Sequence, residues 1–167
     1  MLVHYFLHYY FHHYYFDHYC FHLHFELLKD GEYLVYYESK DRRGIDVALL
    51  YRKSVFRKVS SSVKVPKYKG EKLRTRYILQ ACLEDNMGKN INMIVNHHPS
   101  KYGGSDASDG RRNAAMAALK DMSDSLISAG QGQIVAMGDF NDNPDGQQFS
   151  ILDGFMKNKA LELHQKG

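Results

Sequence analysis

Ile134-Val135-Ala136-Met137-Gly138-Asp139-Phe140-Asn141-Asp142 is an unbroken apolar run that stops abruptly in glycine, aspartate and asparagine. A short apolar run bounded by turn residues is the pattern of a buried central strand, and its tip delivers polar groups to one end of the sheet. Beyond the carboxyl ends of α/β strands is where ligands usually bind. Two carboxylates and an amide within four residues repel one another unless a cation, a hydrogen-bonding partner or water compensates. A metal or phosphate site is one reading of this tip. A plain turn is the other, because Asp142-Asn143-Pro144-Asp145-Gly146 is also strong turn chemistry.

The chain has 167 residues, which suits one domain able to bury about two-thirds of its unfolded surface. Two cysteines, Cys20 and Cys82, exclude a disulfide framework, and the apolar surroundings of Cys82 predict a buried thiol. The net charge of +3 permits an anionic partner without requiring one. No stretch reads as a transmembrane segment, and the first residues lack the basic region and small-residue cleavage site of a secretory signal. The cellular compartment stays unknown at this level.

Residues 1–25 differ from everything after them. Seven of the ten histidines lie here (His4, His8, His12, His13, His18, His22 and His24), interleaved with tyrosine and phenylalanine. His4/His8, His8/His12 and His18/His22 stand at helical spacing, and paired imidazoles can bind zinc or nickel. The stretch shows no caps, no turn signals and no clean polar face, so the alternative is a low-complexity tract that is not a native domain.

From residue 26 the composition is that of an α/β protein. Glu26 to Lys29 reads as the end of a helix, Asp30-Gly31 as a turn, and Tyr33 to Tyr37 as a short strand. Ile45 to Arg52 reads as a second strand, apolar at nearly every position except Asp46. A carboxylate there needs a salt bridge or a place at a polar cavity. Between Arg52 and Arg76 ten basic residues face a single acid, Glu71. Two strands around Pro66 and Gly70, with basic side chains outward, are expected there. Attraction of a phosphate-bearing substrate is a secondary possibility for the same charge.

Thr75 to Leu83 and Ile91 to His97 are expected to form a hairpin across the turn Asn86-Met87-Gly88-Lys89-Asn90. The second of these strands ends in Asn96-His97-His98-Pro99-Ser100, where a histidine either caps the strand or serves a site. Ser105 to Asp109 offers N-caps for a helix whose apolar face is Ala115, Leu119, Met122 and Leu126, running to about Ala129 with Gly130 as its stop. That helix returns the chain to Ile134, completing a strand, helix, strand crossover. Gln147 to Leu152 is expected to begin another helix.

Three motifs, Arg43-Gly44-Ile45-Asp46-Val47-Ala48-Leu49-Leu50-Tyr51-Arg52, Asn96-His97-His98-Pro99-Ser100 and Gly138-Asp139-Phe140-Asn141-Asp142-Asn143-Pro144, stand in this order. Together they resemble the endonuclease/exonuclease/phosphatase superfamily of deoxyribonuclease I-like phosphoesterases, with the closest likeness to its bacterial members. The resemblance covers about residues 26–155. It implies an α/β (α+β) fold, part of a four-layer α/β sandwich with two mixed β-sheets, over 26–167. It also implies hydrolysis of a phosphodiester or phosphomonoester by water activated on Mg²⁺ or Mn²⁺, a hard cation that prefers oxygen ligands. The partner implied is a phosphoester substrate, nucleic acid among the candidates, and no protein partner is inferred.

By the same resemblance Asp139 is the carboxylate that orients and deprotonates the water and touches the metal. Asn141 holds that carboxylate and a phosphate oxygen, and His97 donates to the phosphate. Asp46, Asn96, Ser100 and Arg112 are expected near the substrate, and His98 in packing. The family's metal-binding glutamate and its closing Asp-His pair have no counterpart, so the resemblance implies an internal fragment, and turnover by this chain is in question. A non-catalytic phosphate- or nucleic-acid-binding remnant is the alternative. A histidine-rich transition-metal-binding protein is a further one.

Overall fold

Along the chain run β1 (Glu32–Tyr37), β2 (Val47–Arg52), β3 (Phe56–Lys64), β4 (Lys67–Tyr68), β5 (Glu71–Lys72), β6 (Ile78–Asp85), β7 (Asn90–His97), α1 (Ser105–Ser128), β8 (Ile134–Asp139) and a 3-10 helix at Gln147–Leu152. The structure, a computed structural model, describes residues 32–37, 41, 46–101, 105–154, 156–157 and 165, at 32–37 and 105–107 through the backbone alone. The 1–25 tract, the helix end at Glu26 to Lys29, the Asp30-Gly31 turn and the Arg43-Gly44-Ile45 start of the second strand lie outside the described residues.

β6 is the strand from which the layers are built. All of its positions from Ile78 to Leu83 are buried, as a strand covered on both faces must be. β3 and β7 flank it antiparallel, and β8 adds parallel to β7, giving the mixed order β3-β6-β7-β8. Period-two alternation then splits its side chains between two cores. Leu79, Ala81 and Leu83 meet Val47 and Leu49 of the separate β1-β2 antiparallel pair, with Val95 and Met137 at the edge. On the other face Ile78 and Ile94 meet Met116, Leu119 and Met122 of α1. The described residues therefore form three layers of an α/β fold: a two-stranded sheet, a four-stranded mixed sheet and a helix. No described helix is long and apolar enough to cross a membrane.

The helix follows its predicted face, and Gly130 closes it with φ 76° as the Gln131 N–H donates to the Leu126 carbonyl (2.8 Å). The β6–β7 hairpin forms around Asp85, whose carboxylate accepts the N–H groups of Met87 and Lys89 (both 2.8 Å). Three elements differ from expectation. The basic segment holds one nine-residue strand, β3, ahead of Pro66, and only a two-residue hairpin, β4-β5, around Gly70. β6 starts at Ile78 rather than Thr75, because Thr75 and Arg76 turn into the fold as buried polar groups. Gln147–Leu152 is a 3-10 turn, not an α-helix.

Gly138 shows how tightly β8 docks. It sits opposite Asn96 with φ 129°, and a Cβ there would overlap the Asn96 carbonyl oxygen. Both the backbone angle and the contact exclude a side chain. We expect Gly138→Ala to lower unfolding free energy by about 3 kcal/mol or more, read as a shift of the urea midpoint followed by circular dichroism.

Candidate active site

β7 and β8 end side by side, and parallel pairing places His97 opposite Asp139. Their side chains leave on the same face, with His97 Nε2 3.9 Å from Asp139 Oδ2 and both about one-fifth exposed. That separation is too long for a direct hydrogen bond between them.

The Asp139 carboxylate is oriented locally. The chain turns sharply after β8, and Asn141 takes a left-handed conformation (φ 51°), which asparagine tolerates better than most residues. Its N–H then donates to Asp139 Oδ1 (2.8 Å), while its side-chain amide donates to the His98 carbonyl (2.8 Å). Asn141 thus holds Asp139 with its backbone and anchors to β7 with its side chain.

His98 is buried, and its ring meets Phe140 edge-on at a centroid distance of 5.0 Å. Its main chain is the junction of the site. The His98 N–H donates to the Asp139 carbonyl (2.8 Å), and the His98 carbonyl accepts from Arg76 (2.6 Å) as well as from Asn141. Arg76 also forms a buried ion pair with Asp41 (2.9 Å). Burial, reinforced by the positive charge of Arg76, pushes the His98 imidazole down to about 3, so the ring is neutral at physiological pH.

The other sequence-designated residues fall in different places. Asn96 is 1% exposed, and its amide donates to the carbonyls of Ile94 (3.1 Å) and Met137 (3.3 Å), joining β7 to β8. Arg112 is also buried, bonded to Ser108 (3.0 Å) and paired with Asp109. Ser100 is half-buried just past the strand end, and Asp46 is half-buried immediately before β2. The pair brought together is His97 and Asp139, with Asn141 behind them.

Two participants carried no advance signal as site residues. Arg76 and Asp41 looked like members of charged stretches, since solvated charge is the usual fate of such residues. Asp142, the second carboxylate of the tip and equally readable as turn chemistry, has a side chain 13% exposed and paired with Lys101 (2.6 Å). Burial opposes ionisation of Asp142, but the bonds from Lys101 and the Asn143 N–H and the charges of Lys101 and Arg112 outweigh it, holding its carboxyl below the usual range.

Among the described residues no three His, Cys, Asp or Glu side chains cluster as a metal cage. Asp139 offers one hard oxygen ligand. One carboxylate fits an ion that keeps most of its water, as Mg²⁺ does, and does not fit a closed structural metal centre.

The profile of a family described as the Endonuclease/Exonuclease/phosphatase family matches residues 23–164. No curated protein sequence matches the chain. Among solved structures, ANGEL2, a 2′,3′-cyclic phosphatase, is similar with a TM-score of 0.65 and 20% identity, over 83% of this chain and 40% of its own. The human Nocturnin catalytic domain, solved with a bound sulfate anion, has a TM-score of 0.59 and 18% identity, over 81% of this chain and 50% of its own. An endonuclease/exonuclease/phosphatase family protein from Bacteroides thetaiotaomicron has a TM-score of 0.56 and 12% identity, over 74% and 46%. At such identities the likeness shows the fold, and this chain spans half or less of the length of each of these chains.

Two outcomes follow from the buried polar groups. Arg76→Ala removes one member of the buried ion pair with Asp41 and should cost about 3–5 kcal/mol in a urea titration. For His98, the unfolded ring titrates near 6.5 and the folded ring near 3. Between those values the unfolded chain binds a proton that the folded chain does not. Stability from this group is therefore complete above pH 6.5 and falls by about 1.4 kcal/mol per pH unit below it. Urea midpoints across that window should fall less steeply for His98→Phe than for the wild type.

Proposed function

The chain belongs to the endonuclease/exonuclease/phosphatase family, and from that premise we propose that it is a phosphoester hydrolase whose water is activated at Asp139. The observation that carries the reading is the pairing of Asp139 with His97 across 3.9 Å at the ends of two parallel strands.

In this reading the Asp139 carboxylate accepts a proton from the attacking water. A carboxylate serves as a base only if it is held toward the proton it takes. Asn141 does the holding, because its N–H occupies Asp139 Oδ1 and leaves Oδ2 directed at the gap. His97 Nε2 faces the same gap and donates to a phosphate oxygen as negative charge develops there. Preorganised donors of this kind act mainly on the charge that grows in the transition state. Asn141 cannot drift, since its amide is fixed to the His98 carbonyl. Mg²⁺ or Mn²⁺, held by Asp139 and its own waters, would supply charge neutralisation and a lower water pKa. Asp46, Ser100 and Arg112 complete the proposed surroundings of the substrate, Arg112 through its charge near Asp142. For Asn96 we propose a positioning role inside the fold.

The class of substrate is a phosphodiester or phosphomonoester. Nocturnin was solved with a sulfate anion, and ANGEL2 is a 2′,3′-cyclic phosphatase; both support a tetrahedral, phosphate-like group as the ligand. The test is hydrolysis of bis-p-nitrophenyl phosphate with Mg²⁺ or Mn²⁺. Wild-type turnover should depend on the added ion, and Asp139→Ala should reduce it by about 10³-fold or more. Folded wild-type protein that shows no metal-dependent turnover, or an Asp139→Ala variant as active as wild type, sets the reading aside.

A further inference from the structure

The β4-β5 hairpin carries charge that its own fold does not satisfy. Lys67 and Lys72 are direct cross-strand partners, both exposed. Like charges placed opposite each other on a strand pair repel. Neither makes an ion pair among the described residues, and exposed Arg74 stands two residues further on with none either. With Leu73 and Tyr77 these three cations line a shallow groove of about 770 Å³, in which Glu71 is the single acid. One phosphate would fill a small part of it.

The groove has a fixed floor and a direction. The Leu73 N–H donates to the Pro66 carbonyl (2.9 Å), closing the hairpin base. On the other side Tyr68 rests on α1, its hydroxyl 2.6 Å from where a Cβ of Gly110 would lie. Past Arg74 the chain reaches Arg76 within about 7 Å, and Arg76 donates to the His98 carbonyl (2.6 Å) at the junction of the candidate site. Half-buried Tyr77 adds an aromatic wall. Separate cations along a groove, with an aromatic ring on its wall, are what an extended strand of alternating phosphates and bases requires.

We propose that this groove binds single-stranded nucleic acid, with Lys67, Lys72 and Arg74 on successive phosphates and Tyr77 against a base. The inference builds on the phosphoester reading by naming a polymeric substrate class for the same protein. Binding itself does not require turnover, so the two can be tested apart.

The experiment is fluorescence anisotropy of a labelled short oligo-dT with the full chain in EDTA at pH 8, where histidines are neutral and hydrolysis is suppressed. The triple variant Lys67→Ala, Lys72→Ala, Arg74→Ala changes only exposed side chains and keeps residues 1–25 intact. It should bind about tenfold or more weakly, with a log-affinity against log-salt slope shallower by about 2. Tyr77→Ala should weaken binding and Tyr77→Phe should restore it. Wild-type affinity in the triple variant overturns the proposal. So does displacement by inorganic polyphosphate or poly-glutamate as effective as by unlabelled oligo-dT, which would mark a general anion surface. Loss of oligo-dT binding in the triple variant with intact hydrolysis of bis-p-nitrophenyl phosphate separates this inference from the catalytic reading.

Discussion

A single carbonyl, that of His98, holds the candidate site in register. Both of its lone pairs are occupied, one by the Arg76 guanidinium and one by the Asn141 amide, while the His98 N–H reaches the Asp139 carbonyl. Three segments far apart in the chain, the lead into β6, the end of β7 and the turn after β8, therefore meet on one peptide group. The consequence is geometric: His97 and Asp139 leave neighbouring strand ends with a fixed separation, because neither strand can slip without breaking this junction.

The junction rests in turn on buried charge. Arg76 is 4% exposed and donates to Asp41 and to the His98 carbonyl. A buried ion pair adds little net stability over an apolar replacement, since desolvating both ions costs about as much as their attraction returns. What it supplies is directional: a planar guanidinium binds two acceptors in fixed directions, which no aliphatic side chain can do. Burial, reinforced by the same charge, makes protonation of the neighbouring His98 ring costly, so the packing against Phe140 is that of a neutral imidazole. Polar groups inside this fold serve alignment, and the two apolar clusters on either face of β6 supply cohesion.

The paired strand ends also explain why the chain can be read chemically although it spans half or less of its structural neighbours. His97, Asp139 and Asn141 come from one parallel strand pair and the turn that follows it, a unit contained within residues 90–141. The family profile covers residues 23–164, so the match embraces this unit with its crossover helix and its opposing sheet. Roles that depend on residues elsewhere in the family are not carried by this unit.

Much of this was legible in residue order. The apolar run from Ile134, the repeat along α1 and the Asn86-Met87-Gly88 turn each report on one element, and a local pattern suffices to predict a local element. The placement of His97, Asp139 and Asn141 at the tips of β7 and β8 was also legible, because an apolar run that stops in polar residues marks a strand end. What could not be read there depended on partners distant along the chain. Arg76 and Arg74 are both basic residues of one charged stretch, yet one is buried against Asp41 and the other is exposed in a groove. Asn96 neighbours His97 but faces the opposite way, its amide spent on carbonyls of β7 and β8. The sequence by itself determined the elements and the polar tips of β7 and β8. Only the tertiary structure decided which charges are buried, which face solvent and which atoms meet at His98, because those outcomes are set by the register between strands, and register is a property of no single strand.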